Sequence, residues 1–293
     1  MTEISLRANA KLNLALDVLG RREDGYHLMD MVNVSVSLCD ELVLVKNGLG
    51  VTRLLDESGR AAIGADKNLA VRAARALAAE LGLGELGCDI TLKKNIPSEA
   101  GLGGGSADAA AVLRGAARLF SADIDEGTML RLAAAIGADV PFCMTGGAAR
   151  VGGIGEELRP IPNGCELGFV IAMPPAGCST AEAFRRLDSA GGYQRPDCDA
   201  VERALVGGDI AALAESVKNV FETSWNDPVT VRLKRALLKS GAAAAALTGS
   251  GAAVYGLFDL SNGASKLPEV SLDGCRCYTA LARPCGVEIV SER

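Results

Sequence analysis

Pro97-Ser-Glu-Ala-Gly-Leu-Gly-Gly-Gly-Ser-Ala-Asp108 leads into an Ala- and Leu-rich run, Ala109 to Phe120, and follows Cys88 to Lys94, in which Ile90 and Leu92 share one face. This patterning predicts the order strand, glycine loop, helix. Gly101, Gly103, Gly104 and Gly105 fill four of five positions, whereas a tight turn needs only one or two. Without a Cβ the backbone can approach an anion closely, and the helix start behind it offers unpaired N–H groups at the positive end of a dipole. The stretch therefore predicts a phosphate cradle. It is not a Walker A loop, because Ser106 follows Gly105 with no lysine between. It is not a Rossmann fingerprint either: the third small position, counted from Gly101 and Gly103, falls on Ser106. No H-R-D or D-F-G pattern of a protein kinase occurs.

Upstream, Leu12, Leu14, Leu16 and Val18, then Val32, Val34, Val36 and Leu38, alternate with period two and predict half-buried antiparallel strands. Leu42 to Val45 adds an apolar run, and Asn47 to Gly50 and Asp56 to Gly64 supply turn residues. Asn68 to Leu81 has helical spacing with Gly82 as a stop. Downstream, a helix is expected over about Asp125 to Ile136, ending in Gly137-Ala-Asp-Val-Pro141. Pro160, Pro162 and Gly164 suggest a boundary between domains 1–160 and 161–293. Beyond it, Leu167 to Met173 reads as a strand, and Ser179-Thr-Ala-Glu182 has capping-box spacing. Helices about Ala200 to Val206, Ile210 to Val217 and Val229 to Ser240 precede strands near Ala244, Val254, Tyr278 and Val287. The expected class is α+β. Ser240 to Phe258 is uncharged for 19 residues, long enough for a bilayer, but its glycines, Thr248 and Ser250 favour strand, turn and strand.

Composition narrows the chemistry. With 30 Lys and Arg against 36 Asp and Glu, the 293-residue chain carries a net charge of −6, which argues against a nucleic-acid partner. The single histidine, His27, excludes most metal centres and forces any Ser-His-Asp proposal through one residue. Nine scattered cysteines without a C-x-x-C pair fit free thiols in a reducing cytoplasm better than a disulfide framework. Neither a signal peptide nor a membrane partner is expected.

Ala8-Asn-Ala-Lys-Leu-Asn13, Gly25-Tyr-His27, Pro97 through Ala107, Gly137-Ala-Asp-Val-Pro141 and Thr248-Gly-Ser-Gly251 occur in the order seen in GHMP kinases, which the chain resembles from Ala8 to about Phe258. The resemblance implies a ribosomal protein S5 domain 2-like N-terminal domain that binds ATP and a ferredoxin-like C-terminal domain. It implies ATP as phosphoryl donor, Mg²⁺ alongside it, and a small-molecule alcohol as acceptor; the A-x-A-K-x-N start and G-Y-H suit one that is cytidine diphosphate-linked. Asp139 matches the family's catalytic base and Lys11 the cation near it. Asn13 would orient the substrate alcohol. Tyr26 and His27 match cytosine-recognition residues. Phe184 matches a second aromatic wall or is simply core.

The ATP site would comprise Pro97, Ser98, Glu99, Ala100, Gly101, Leu102, Gly103, Gly104, Gly105, Ser106 and Ala107. Asn68 would lie near the adenine or serve only as an N-cap. Ser106 is the natural hydroxyl beside the metal-bound phosphates, whereas Glu99 departs from the family's small residue and is open to metal, phosphate or solvent. Asn219 and Glu222 resemble the ends of the family's N-D-L-E motif, with Val220 and Phe221 replacing its centre. Alternative activities are another GHMP small-molecule kinase, of the homoserine or mevalonate type, and a non-catalytic nucleotide-binding regulator on the same fold.

Overall fold

A computed structural model describes residues 1–55, 67–190, 194–224, 227–261 and 266–293. The turn expected over Asp56 to Gly64 lies outside them. The chain runs β1 (Glu3–Arg21), β2 (His27–Lys46), β3 (Arg53–Leu55), α1 (Leu69–Glu80), β4 (Cys88–Lys93), α2 (Gly104–Leu119), α3 (Glu126–Ile136), α4 (Val140–Thr145), β5 (Ala148–Gly152), β6 (Glu157–Ile161) and β7 (Leu167–Met173). It continues through α5 (Thr180–Ser189), α6 (Cys198–Gly207), α7 (Ile210–Ser216), β8 (Lys218–Asn219), α8 (Val220–Ser224), α9 (Pro228–Lys239), β9 (Ala244–Leu247), β10 (Val254–Asp259), β11 (Arg276–Arg283) and β12 (Val287–Glu292).

The β1–β2 hairpin is the spine. Antiparallel strands run in the order β12-β1-β2-β11-β7-β10-β9, with β4 and β5 also on β2. The last strand thus returns to the first, pairing Ile4 with Glu292 and Ala8 with Val287. On one face α2 lies close, because Gly115 faces Leu6 and Leu44: a Cβ there would fall 2.5 Å from Leu6 Cδ1. Small residues let the helix backbone approach the sheet, so strand leucines and helix alanines exclude water together in one core.

The expectation of half-buried opening strands is corrected by β1, which is buried on both faces from Ala8 to Val18. The polar alternates Asn9, Lys11, Asn13 and Asp17 are as enclosed as the leucines between them. Their partners come largely from the second half: Cys285 O and Glu288 for Asn9, Gly249 N for Asn13, Arg195 for Asp17. Covering by distant chain makes a polar face interior, and burial is tolerable there because each group is hydrogen-bonded.

Ser240 to Phe258 forms an end of α9, then β9 and β10 paired antiparallel, and no described helix is long and apolar enough to cross a membrane. The capping box expected at α5 is absent: Ser179 makes no side-chain cap bond, and Glu182 pairs instead with Arg185 and Arg186. Two arginines on the same helix offer charge-assisted bonds that outcompete one backbone N–H. Pro160 sits within β6, which among the described residues pairs only β5, so its missing N–H lies on a sheet edge.

Candidate active site

The glycine loop leaves β4, crosses the mouth of the hairpin and enters α2. It is tied to β1 by Lys11 N–H, which donates to Leu102 O at 3.0 Å. Gly103 caps α2 in the left-handed region, with φ 71° and ψ 19°, leaving the first-turn N–H groups of a 16-residue helix facing the cleft. The second glycine segment, Thr248 to Gly251, packs directly on the first, and Thr248 Oγ1 donates to Gly101 O at 3.2 Å. Glu99, at φ 53°, uses its carbonyl to accept from Cys178 N and Ala252 N. Its side chain is exposed on the cleft wall.

A cleft of about 1110 Å³ runs past both loops, between residues of both halves of the chain. Lys11, Asp139, Asn68, Tyr26, His27, Phe184 and the loop from Pro97 to Ser106 all line it. Two expected site residues do not. Ala107 is fully buried on the core side of α2, because helical spacing turns it away from the loop. Asn13, 1% exposed, does not reach the cleft: its Oδ1 accepts from Lys11 Nζ at 2.8 Å and Gly249 N at 2.8 Å, and its Nδ2 donates to Asn33. It holds the lysine and the second loop instead of presenting a group to an alcohol.

Lys11 Nζ lies 3.9 Å from Asp139 Oδ1, with the lysine 4% and the aspartate 37% exposed. Asp139 occupies the N-cap position of α4 but makes no side-chain cap bond, and Pro141 follows within the first turn. The helix therefore does not consume the carboxylate. A buried ammonium thus stands beside a half-open carboxylate that lines the cleft. Asn68 does cap α1, accepting from Ala70 N at 2.9 Å, while its position also faces the cleft.

At the far end, His27 stacks on Phe184 with ring centroids 4.3 Å apart and an interplanar angle of 20°. Phe184 meets Phe221 edge-on behind it. Tyr26 stands at the rim, 59% exposed, so the preformed stack joins His27 to Phe184, and Tyr26 is left facing outward. Asp188, one turn further along α5, pairs with His27 Nε2 at 2.8 Å. Asp188 was missed by sequence reasoning; its spacing of four from Phe184 on one helix face is the signal available.

Beneath the glycine loop, Lys94 bridges two buried carboxylates, Asp40 and Asp108. Asp40 Oδ1 also accepts from Asn95 N and Ile96 N, whereas Asp108 Oδ1 is buried with no partner among the described residues. Burial, reinforced by Asp40 and opposed by Lys94, pushes Asp108 up from 3.8 to about 7. Burial alone would lower the Lys94 ammonium, but Asp108 and Asp40 together hold it above its ordinary value. Between pH 3.8 and about 7 the folded chain binds more protons at Asp108 than the unfolded chain does, so stability falls as pH rises through that window and then levels. Asp108→Asn is expected to remove this slope and to gain on the order of 2–4 kcal/mol over the parent at pH 8. Urea unfolding at pH 5 and pH 8 checks it; parallel losses in parent and variant would contradict the assignment.

Glycine loop, lysine–aspartate pair and ring-lined far wall share one cleft. The chain belongs to the GHMP kinase family. Residues 68–147 match the GHMP kinases N terminal domain and residues 202–270 the GHMP kinases C terminal. The 4-diphosphocytidyl-2-C-methyl-D-erythritol kinase of Acetivibrio thermocellus is 38% identical over 272 residues, covering 88% of this chain and 91% of its own length. That of Symbiobacterium thermophilum is 42% identical over 257 residues, covering 87% and 90%. A crystal structure of 4-(cytidine 5'-diphospho)-2C-methyl-D-erythritol kinase superposes with a TM-score of 0.73 at 30% identity, covering 95% of this chain and 98% of that one. Homoserine kinase from Cytophaga hutchinsonii reaches a TM-score of 0.78 at 19% identity, covering 99% and 98%, a likeness of fold.

Proposed function

We propose that this chain transfers the γ-phosphoryl group of ATP to a hydroxyl of 4-diphosphocytidyl-2-C-methyl-D-erythritol, giving the 2-phosphate and ADP in non-mevalonate isoprenoid biosynthesis. The observation that carries the chemistry is the Lys11–Asp139 pair at 3.9 Å, between a glycine cradle and an aromatic wall. The identity to kinases of that name carries the substrate. Asp139 accepts the hydroxyl proton as the oxygen attacks the γ-phosphorus, and the bond to the ADP oxygen breaks. Lys11 offsets negative charge gathering on the transferred group. The loop from Pro97 to Ser106 and the α2 N-terminus cradle the phosphates, with Asn68 near the adenine. Tyr26, His27 and Phe184 take the cytosine, and Asp188 fixes the imidazole. Residues 1–160 would supply the donor site and residues 161–293 the opposite wall.

No cluster of three His, Cys, Asp or Glu able to hold a metal occurs among the described residues. Mg²⁺ would arrive with the phosphates and take single oxygens from the protein. Ser106, at the α2 start, and the exposed Glu99 carboxylate are among the cleft oxygens that would hold it. When bound, the ion would neutralise phosphate charge. The nine free thiols support a reducing, cytoplasmic setting.

The test is ADP formation with ATP, Mg²⁺ and that substrate, together with competition by cytidine diphosphate. Phe184→Ala is expected to raise KM for the cytidine substrate roughly tenfold with kcat nearly unchanged, since stacking binds ground and transition states alike. Turnover of homoserine or mevalonate, with no response to cytidine nucleotides, would assign the chain to another branch of the family. ATP binding without turnover of any alcohol would make it a regulator.

A further inference from the structure

The segment Asn219-Val-Phe-Glu222 lies outside the cleft's polar machinery, yet it grips the second glycine loop from behind. Asn219 is fully buried. Its Nδ2 donates to Leu247 O at 2.9 Å and Gly249 O at 2.8 Å, while its Oδ1 accepts from Phe221 N at 3.0 Å. Glu222 Oε1 accepts from Leu247 N at 2.7 Å, and its other oxygen is held by Lys234 Nζ. The gripped turn reaches inward to Asn13: Gly249 N donates to Asn13 Oδ1 at 2.8 Å, the same oxygen that accepts from Lys11 Nζ at 2.8 Å, and Thr248 Oγ1 lies 3.3 Å from both that oxygen and Asn13 N. The tether is therefore continuous from Asn219 through the Gly249 peptide and Asn13 to the ammonium beside Asp139.

We propose that Asn219, braced by Glu222, is a positioning residue that fixes the Lys11 ammonium against Asp139 by holding the 247–249 turn. This rests on the reading of Lys11 and Asp139 as the reacting pair. Three features favour it over simple core filling. Asn219 uses both its amide hydrogens and its oxygen, so its orientation is fully determined. Both acceptors belong to the one turn that touches Asn13. Asn13 Oδ1 is shared, so a turn displaced outward draws Asn13 away from the lysine or leaves Gly249 N unpaired in a buried site.

Asn219→Asp keeps the size and the acceptor for Phe221 N but sets a carboxylate oxygen against two carbonyls; Asn219→Ser is too short to span both. Lys11 is read directly in the intact chain, by its rate of labelling with an amine-acylating reagent followed by mass spectrometry, with exposed Lys93 as the internal reference. Severalfold faster labelling of Lys11 is expected in both variants. A fall in kcat of about tenfold, with KM for the cytidine substrate within about twofold of the parent, is expected with it. A purely structural role would lower the melting temperature and leave Lys11 labelling and kcat per folded molecule unchanged, and that result overturns the proposal. If neither variant folds, amide exchange of Gly249 in the parent decides: slow exchange supports the tether, and exchange at the rate of an open loop overturns it. Labelling does not depend on which alcohol is phosphorylated, so failure here and failure of the assigned activity are separate results.

Discussion

Asp139→Asn is expected to lower kcat about a thousandfold, within the range lost when a positioned general base is removed, and to leave the protein folded. The second half of that expectation comes from the local structure. The side chain caps nothing; the start of α4 is held by its backbone, with Cys143 N donating to Asp139 O at 3.0 Å, and by Pro141. Asparagine fits the same space, and Lys11 keeps its bond to Asn13 Oδ1. What disappears is the one group in the pair able to take a proton from an alcohol. Because a base acts on the transition state, kcat and kcat/KM should fall together while ATP affinity stays near that of the parent. ADP release measures the first and nucleotide titration the second, with thermal unfolding as the control. A folded Asp139→Asn protein with full turnover would remove Asp139 as the base, and catalysis would then rest on positioning and charge alone.

Local pattern made most of the fold legible. The strand over Leu167 to Met173 and the helices beginning near Leu69, Glu126 and Ile210 follow from periodicity and end signals, which act within one or two turns of chain. The glycine loop between β4 and α2 was legible because four glycines in five positions exceed what a tight turn needs. The placement of Asp139 in the cleft beside Lys11 was legible only through its neighbours, since an aspartate just before a proline is otherwise an ordinary helix start.

Contacts across long sequence separations were not legible. Asn13 and Gly249 are 236 residues apart, and nothing near either one announces the other. The polar alternates of β1 read as a solvent face because the sequence does not say that β12 and the 248–251 segment return to cover it. Asp188, Asp40 and Asp108 each look like solvated carboxylates in the linear text. Fold places them against His27 and Lys94, and burial then changes the protonation of Asp108. The Ser179 box failed for the opposite reason: the spacing was right, but two arginines nearby offered Glu182 stronger partners.

Not every glycine of the cradle is required for the same purpose, and a pair of variants separates the purposes. Gly101 has φ 75°, and a Cβ there would lie 2.0 Å from Thr248 O. Alanine is thus penalised twice, by the left-handed backbone and by a clash with main chain that cannot rotate away. Gly101→Ala is expected to cost about 2–4 kcal/mol of stability. It should also push the Thr248 turn outward, so that kcat falls in whatever folded protein remains. Gly105 is different: it is helical and exposed, and the nearest atom to an added Cβ is Leu69 Cδ1 at 3.6 Å. Within the protein, alanine at this site should stabilise by up to about 1 kcal/mol through helix propensity. If the space above Gly105 belongs to a phosphate, however, a methyl there obstructs the approach of the ligand to the α2 N–H groups. Gly105→Ala is therefore expected to unfold at or above the parent temperature while KM for ATP rises roughly tenfold. Parent-like ATP affinity in a more stable Gly105→Ala protein would mean that the first turn of α2 does not touch the nucleotide. A loss confined to Gly101→Ala would then make the glycine run a device for packing two loops together.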